Sequence, residues 1–217
     1  MNKIITVASQ KGGCGKSTIC TLFANYLSSR KKNVCIIDVD FQQSLIQQRR
    51  DEKAVYGEPP YEIKGFEMTK PELMQQLMEN AREYDGYVLI DCPGKLDDDG
   101  LIPVLIESDY IICPFQFDIK SLTATTNFVN SFQNLQGMYP DSKTRLLFIP
   151  NNIKRKGTQE EQQAWRNVGN TFGIAGTVLD PIPYRACIEK VNTYDINSAQ
   201  LEVVKGVFDK IIKIIKQ

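Results

Sequence analysis

Apolar residues in this chain fall into two patterns. Short continuous runs lie at 4–8, 34–39, 87–90, 110–114 and 146–149, and runs of that length predict strands buried on both faces. Between them apolar positions recur every three or four residues: over about 16–30, up to about 83, over 122–135, up to about 172, and from about Ser198 onward. That spacing predicts helices. Two helix starts carry their own signal. Thr69-Lys-Pro-Glu72, with a proline in the first turn, and Thr158-Gln-Glu-Glu161 both read as capping boxes. Residues 56–60, with Gly57, Pro59 and Pro60, read as a surface connection, and 178–179 as a last short strand. Strands alternating with helices from end to end predict an α/β fold: a mostly parallel, twisted sheet with helices on both faces, in three layers. No repeat, low-complexity tract or linker divides the 217 residues, so residues 1–217 are expected to form a single domain. Ligands of such sheets gather at the carboxyl ends of the strands. Candidate chemistry is therefore sought at 10–18, 38–42, 91–94 and 151–152.

Composition narrows the function classes. Hydrophobic residues are 42% and charged residues 24%, the balance of a globular protein rather than a disordered one. Lys+Arg and Asp+Glu are both 26, so a strongly basic nucleic-acid binder is excluded as a whole-chain description, while a local basic patch is not. No apolar run approaches the roughly 20 residues of a membrane helix. The chain enters a strand-like run from Lys3 without a leader pattern, and a cytoplasmic location is expected. Six cysteines include no C-x-x-C pair, and several sit inside apolar runs, so they read as reduced, buried thiols. Histidine is absent, which removes His triads, His metal sites and His general bases.

The loop after the first strand is Ser9-Gln10-Lys11-Gly12-Gly13-Cys14-Gly15-Lys16-Ser17-Thr18. Its end, Gly15-Lys16-Ser17, matches a phosphate-binding loop. Glycines let backbone N–H groups turn inward around phosphate oxygens, and the helix that starts there adds its positive end. Lys16 would reach the β- and γ-phosphates, and the Ser17 hydroxyl would ligate Mg²⁺. A plain glycine-rich turn is the competing reading. A strand before, a helix after and a carboxylate ending a later strand outweigh it.

The ordinary pattern has Gly where this chain has Gln10, and a second lysine, Lys11, precedes the glycines. Lys-Gly-Gly-x-Gly-Lys-[Ser/Thr] is the deviant Walker A motif of the ParA/MinD family. The chain resembles that family over nearly its whole length, and most of all the small ParA-type partition ATPases. The resemblance implies a P-loop NTPase fold, weak ATPase activity, and ATP and Mg²⁺ as cofactors. Nucleotide contacts would come from Lys11, Gly12, Gly13, Cys14, Gly15, Lys16, Ser17 and Thr18. It further implies that Lys11 reaches across an ATP-dependent homodimer to the partner's phosphates. Asp38-Val-Asp40-Phe-Gln42 resembles the family's Asp-x-Asp-Pro-Gln switch, with Phe41 in place of Pro. By that resemblance Asp40 positions the attacking water and Asp38 stands on the metal side. Lys11, Lys16 and Asp40 are thus the expected catalytic set. Val88-Leu-Ile-Asp91-Cys92-Pro93-Gly94 reads as a Walker B strand presenting Asp91 to Mg²⁺ through water. Gly94 departs from the family's Asp-x-Pro-Pro, which predicts a more flexible switch. Cys92 reads as a packing residue. Asn151, which ends the 146–149 strand region, is where the family often has an Asn that contacts adenine.

Basic residues cluster at Lys154-Arg155-Lys156, at Arg185, near the family's DNA-binding arginine, and on the last helix at Lys205, Lys210, Lys213 and Lys216. Singly these read as solvated faces; together they allow non-specific phosphate contacts. The last helix also carries Leu201, Val204, Val207, Phe208, Ile211, Ile212 and Ile215 at helical spacing. That stripe reads as core, with a MinD-like membrane-targeting helix as the rival. The resemblance implies a ParA-like ATPase for DNA partitioning, without an N-terminal helix-turn-helix domain or a stable membrane anchor. Its ATP-bound dimer would bind DNA without sequence preference and associate with the nucleoid. A ParB-like centromere-binding partner would stimulate hydrolysis. The alternative is a MinD-like positioning protein on a membrane surface.

Overall fold

The structure is a computed structural model and describes residues 2–67, 70–95, 99–154 and 157–217. Seven strands form one sheet: β1 (Lys3–Val7), β2 (Val34–Asp38), β3 (Glu62–Gly65), β4 (Tyr87–Asp91), β5 (Tyr110–Phe115), β6 (Arg145–Pro150) and β7 (Gly176–Val178). Their order is β3-β2-β4-β1-β5-β6-β7, and all the pairings are parallel. The chain builds outward from β1 on one side as far as β3, returns through β4, then crosses to β5 on the other side of β1. The loops after β1 and β5 therefore diverge, which opens a crevice at their carboxyl ends.

Alternation along each strand divides the core in two. Ile5, Ile36, Leu89 and Ile112 face one cluster. Ile4, Cys35, Val88 and Ile111 face the other. The first is closed by α1 (Lys16–Ser29) and α8 (Ser198–Ile215), the second by α3 (Pro71–Glu83), α4 (Ile102–Glu107) and α5 (Ile119–Met138). On α8 the residues Val204, Val207, Phe208, Ile211 and Ile215 are buried, and the Phe208 ring lies 5.0 Å from Phe23 and 5.4 Å from Tyr26. Each such side chain contributes about 2 kcal/mol by leaving water. Leu201 and Ile212 are half-buried against the same cluster, so the stripe read from the sequence faces the core. Among the described residues no helix is long and apolar enough to cross a membrane.

Neither α2 (Ser44–Tyr56) nor β3 was expected from the sequence. Only Leu45 and Arg49 of α2 are buried, so its apolar period is nearly absent. β3 is an edge strand with mostly exposed residues. The surface connection expected over 56–60 accordingly begins one residue later, after α2. The short 3-10 turn at Asp99–Leu101, α4 and α7 (Ala186–Glu189) were not expected either. The Thr158 capping box is present and opens α6 (Gln159–Ala175). Thr69 lies outside the described residues; α3 begins at Pro71, with Lys70 as its extended N-cap.

Candidate nucleotide site

The phosphate loop joins β1 to α1. Ala8 N donates to Ile112 O at 3.0 Å, the last ladder-like bond before the chain turns back. Gly13 and Gly15 have φ of 73° and 96°, a region that strains a residue with a Cβ. Gly15 is the N-cap of α1, and a Cβ there would lie 2.4 Å from Asn151 Nδ2. Asn151 is fixed at that point because its Nδ2 donates to Cys14 O at 2.8 Å. Ile19 N donates to Gly15 O at 2.9 Å; the helical N–H groups ahead of it have no intrahelical acceptor and are available to an anion. Lys16, only 8% exposed, arches back so that Nζ donates to Lys11 O at 3.3 Å.

A cavity of about 860 Å³ opens over this loop. Gly12, Gly13, Gly15, Lys16, Ser17 and Thr18 form its floor, Asp40, Phe41 and Gln42 one wall, and Pro93, Gly94 and Lys95 another. A narrower cavity of about 170 Å³ continues past Gly13, Gly15 and Thr18 to Asn151, Pro183, Tyr184, Arg185 and Ile188. The larger space suits a phosphate chain and the narrower one a flat base. A cleft of about 690 Å³ at the amino end of the sheet holds Lys3 and Arg82, but Asp109 already pairs with both, at 3.6 and 2.6 Å.

Asp38 and Asp91 are register partners on neighbouring strands, so their carboxyls stand side by side at the carboxyl edge. Their surroundings differ. Both Asp91 oxygens are buried without a hydrogen-bond partner. Burial pushes this carboxyl up to about 7; the nearby Ser17 hydroxyl and the Lys16 charge work the other way, and Asp38 adds to the rise. Asp38 is fully buried, but Oδ1 accepts from Asp40 N at 3.2 Å and Oδ2 from Leu45 N at 3.0 Å. Burial raises its pKa, and the backbone donors Asp40, Leu45 and Ile46 oppose the rise. Asp40, on the cleft wall, closes a local turn in which Oδ1 accepts from Gln42 N at 3.0 Å. Among the described residues no group of three or more Cys, Asp and Glu could hold a metal ion. The chemistry on offer is that of Mg²⁺, which needs one or two protein ligands and completes its shell with phosphate oxygens and water.

Lys11 does not point into its own cleft. Its Nζ pairs with Asp118 Oδ2 at 2.7 Å and lies 3.5 Å from Gln116 Oε1. The ammonium holds the Asp118 carboxyl below the usual range. Asp118 is also the N-cap of α5, accepting from Ser121 N at 3.0 Å. Sequence reading missed Asp118 and Gln116, although both follow a predicted strand at its carboxyl end, where ligands were expected. It also missed Phe41, 68% exposed, and Lys95 as walls of the cleft.

Lys154 and Arg185 come together. Ile153 and Pro183 form an isolated bridge, Lys154 Nζ stands 5.9 Å over the Tyr184 ring, and Arg185 Nη1 donates to Tyr184 O at 2.9 Å. Arg155 and Lys156 lie outside the described residues. The lysines of α8 are placed elsewhere; Lys205 pairs with Asp209 at 2.9 Å and Lys210 with Asp180 at 3.8 Å. The cysteines carry no disulfide; Cys92 is buried in the second core cluster, as a packing residue should be.

The chain is 26% identical over 199 residues to the maintenance of carboxysome distribution protein A of Halothiobacillus neapolitanus, covering 91% of this chain and 90% of that one. Its fold matches a putative plasmid partition protein of Borrelia burgdorferi bound to AMPPNP, with a TM-score of 0.73 and 20% identity over 98% of this chain and 99% of that one. It also matches ParA of pNOB8 bound to nonspecific DNA, with a TM-score of 0.69 and 17% identity over 100% of this chain and 99% of that one. Residues 5–196 match the CobQ/CobB/MinD/ParA nucleotide binding domain, and the chain belongs to that family.

Proposed function

We propose that this chain is a ParA-type ATPase acting on DNA. ATP closes a homodimer, the dimer holds DNA without sequence preference, and hydrolysis releases it. Residues 1–217 act as one ATPase domain, in the cytoplasm and on the nucleoid when ATP is bound. A ParB-like, centromere-binding protein stimulates hydrolysis. The observation that carries the reading is the placement of Lys11: a lysine of the phosphate loop is turned away from its own cleft and held on Asp118 at the edge of the site. In a monomer it has no phosphate to serve; in a dimer it would reach the partner's.

The loop N–H groups and Lys16 bind the β- and γ-phosphates, and Asn151 lies against the base. Ser17 and Asp91 would hold Mg²⁺, and the unpartnered oxygens of Asp91 fit a carboxylate kept for a cation. Mg²⁺ held there would neutralise phosphate charge. Asp40 orients the attacking water, so the chemistry rests on positioning and electrostatics rather than on a strong base. Lys154, Arg185, Arg155 and Lys156 contact DNA phosphates, and a dimer presents that set twice.

The test is binding of an arbitrary duplex, followed by an electrophoretic shift, with ATP, with ADP and without nucleotide. Binding only with ATP, falling steeply with salt, is the expected result. Equal binding in all three removes the switch. The near-full-length match to a carboxysome distribution protein favours a variation in which the cargo is a protein assembly rather than a plasmid. Deleting the gene and scoring plasmid loss against loss of compartment distribution separates the two.

A further inference from the structure

The two register-matched carboxylates are not equivalent. Both oxygens of Asp91 are buried without a hydrogen-bond partner, whereas both oxygens of Asp38 are engaged by backbone N–H groups. Those donors lie at the two ends of one loop. Asp40 N is at its start, and Leu45 N belongs to the first turn of α2. The N-cap of α2, Gln43, has φ 43° and gives no side-chain cap. The carboxylate that caps α2 therefore comes from the end of β2, across the loop, and its charge also suits the positive end of the helix.

The far side of α2 is anchored as well. Gln48 Nε2 donates to Val191 O at 2.7 Å, Arg49 Nε to Thr193 Oγ1 at 2.7 Å, and Glu52 Oε2 accepts from Thr193 N at 2.7 Å. With α2 tied down there, the grip of Asp38 on its first turn fixes the span of residues 39–44. Inside that span Gln43 N donates to Asp40 O at 2.9 Å, and Val39 N donates to Asp91 O at 3.1 Å. The loop that carries Asp40 is held at the strand end, at the helix start and across its middle.

We propose that Asp38 is a positioning residue that closes the 39–44 loop onto β2 and so places the Asp40 carboxyl, leaving Asp91 as the acidic side chain that holds Mg²⁺. The catalytic half of this inference rests on the reading of Asp40 as the residue that orients water. The clamp itself does not, because it is made only of the Asp38 carboxylate and backbone N–H groups of this chain.

That independence supplies the experiment. Amide exchange is measured on the nucleotide-free protein in EDTA, for wild type, Asp38→Ala, Asp38→Asn and Asp91→Asn. The Asn variant retains one acceptor and keeps the test open if the Ala variant does not fold. Loss of the clamp should speed exchange of residues 40–46 by about five- to tenfold, the change expected when a helix cap of ordinary strength is removed. Asp91→Asn should leave that segment unchanged. In the second measurement, ATP binding is titrated with Mg²⁺. Asp38→Asn should keep the wild-type Mg²⁺ dependence within about twofold, with turnover lowered about tenfold or more at a nearly constant KM. Unchanged exchange at 40–46 in EDTA overturns the clamp. A Mg²⁺ dependence lost in Asp38→Asn as fully as in Asp91→Asn makes Asp38 a metal ligand and overturns the assignment. If Asp40→Ala hydrolyses ATP at the wild-type rate, the reading beneath the catalytic half fails, and the exchange result still decides the clamp.

Discussion

The phosphate loop and the Lys154–Tyr184–Arg185 ridge both aim cations at a polyanion, and they are built in opposite ways. The loop is a continuous segment between one strand and one helix. Its lysine is buried, and its N–H groups are fixed by backbone geometry. The ridge is assembled from two distant loops that meet at the Ile153–Pro183 bridge, and its charges stand at the surface. In the cleft, backbone turns and packing fix the donors in place, so each group acts strongly. On the ridge, charges act through solvent, so each counts for little and salt weakens them. The contrast orders the expected effects of mutation.

The largest effect belongs to Lys16→Ala. Losing a mostly buried ammonium from the cleft should weaken ATP binding by about 100-fold or more in a calorimetric titration. Near-wild-type affinity would erase the distinction between the two regions. Gly15→Ala comes next. Its φ of 96° and a Cβ placed 2.4 Å from Asn151 Nδ2 should lower stability by about 2 kcal/mol in denaturant unfolding. Gly12→Ala is the control, since a Cβ there meets nothing within 4 Å.

The third prediction concerns pH. In the folded protein burial pushes the Asp91 carboxyl up to about 7, above the ordinary carboxylate value of about 4. As pH rises the unfolded chain gives up this proton first, so the folded state loses stability progressively between those two values. Asp91→Asn removes that loss. Without nucleotide or Mg²⁺, the variant should gain on wild type by roughly 1–3 kcal/mol between about pH 4 and about pH 8. A pH-independent difference between the two would mean that Asp91 is ionised throughout.

On the ridge, Lys154→Glu should weaken ATP-dependent DNA binding several-fold and lower the salt slope by about 1, with ATP affinity intact. Arg185 also borders the base cavity, so Lys154 is the cleaner probe of the two. A loss as large as that of Lys16→Ala would place Lys154 inside a preformed site. The smallest effect is expected from Asp118→Asn. The amide keeps the cap on Ser121 N but releases Lys11. ATP-dependent dimerisation, followed by sizing, should tighten by about two- to threefold, the scale of a partly exposed ion pair. Weaker dimerisation would instead assign Asp118 a role in the dimer itself.

Legibility from sequence followed the same division. The phosphate loop, the strand ending in Asp91 and the Thr158 capping box could be read because each depends on neighbours along the chain. The parallel sheet was legible for the same reason, since runs such as 87–90 and 110–114 declare burial on both faces. α2 was not, because its packing relies on Leu45 and a buried Arg49, and an arginine gives no apolar signal. β3 was hidden by its place at the sheet edge.

Residue identity and short spacing were enough to announce a phosphate site, a helix start or a buried strand, because backbone conformation and local burial act over a few residues. They could not show that Lys11 rests on Asp118, that Lys154 meets Arg185, or that Asp38 caps α2 while the buried Asp91 carboxylate goes unpartnered. Each of those contacts joins elements brought together by sheet order and register. Two carboxylates with the same local pattern, each ending a buried strand, acquire different partners only when the neighbouring helix and loop are packed against them.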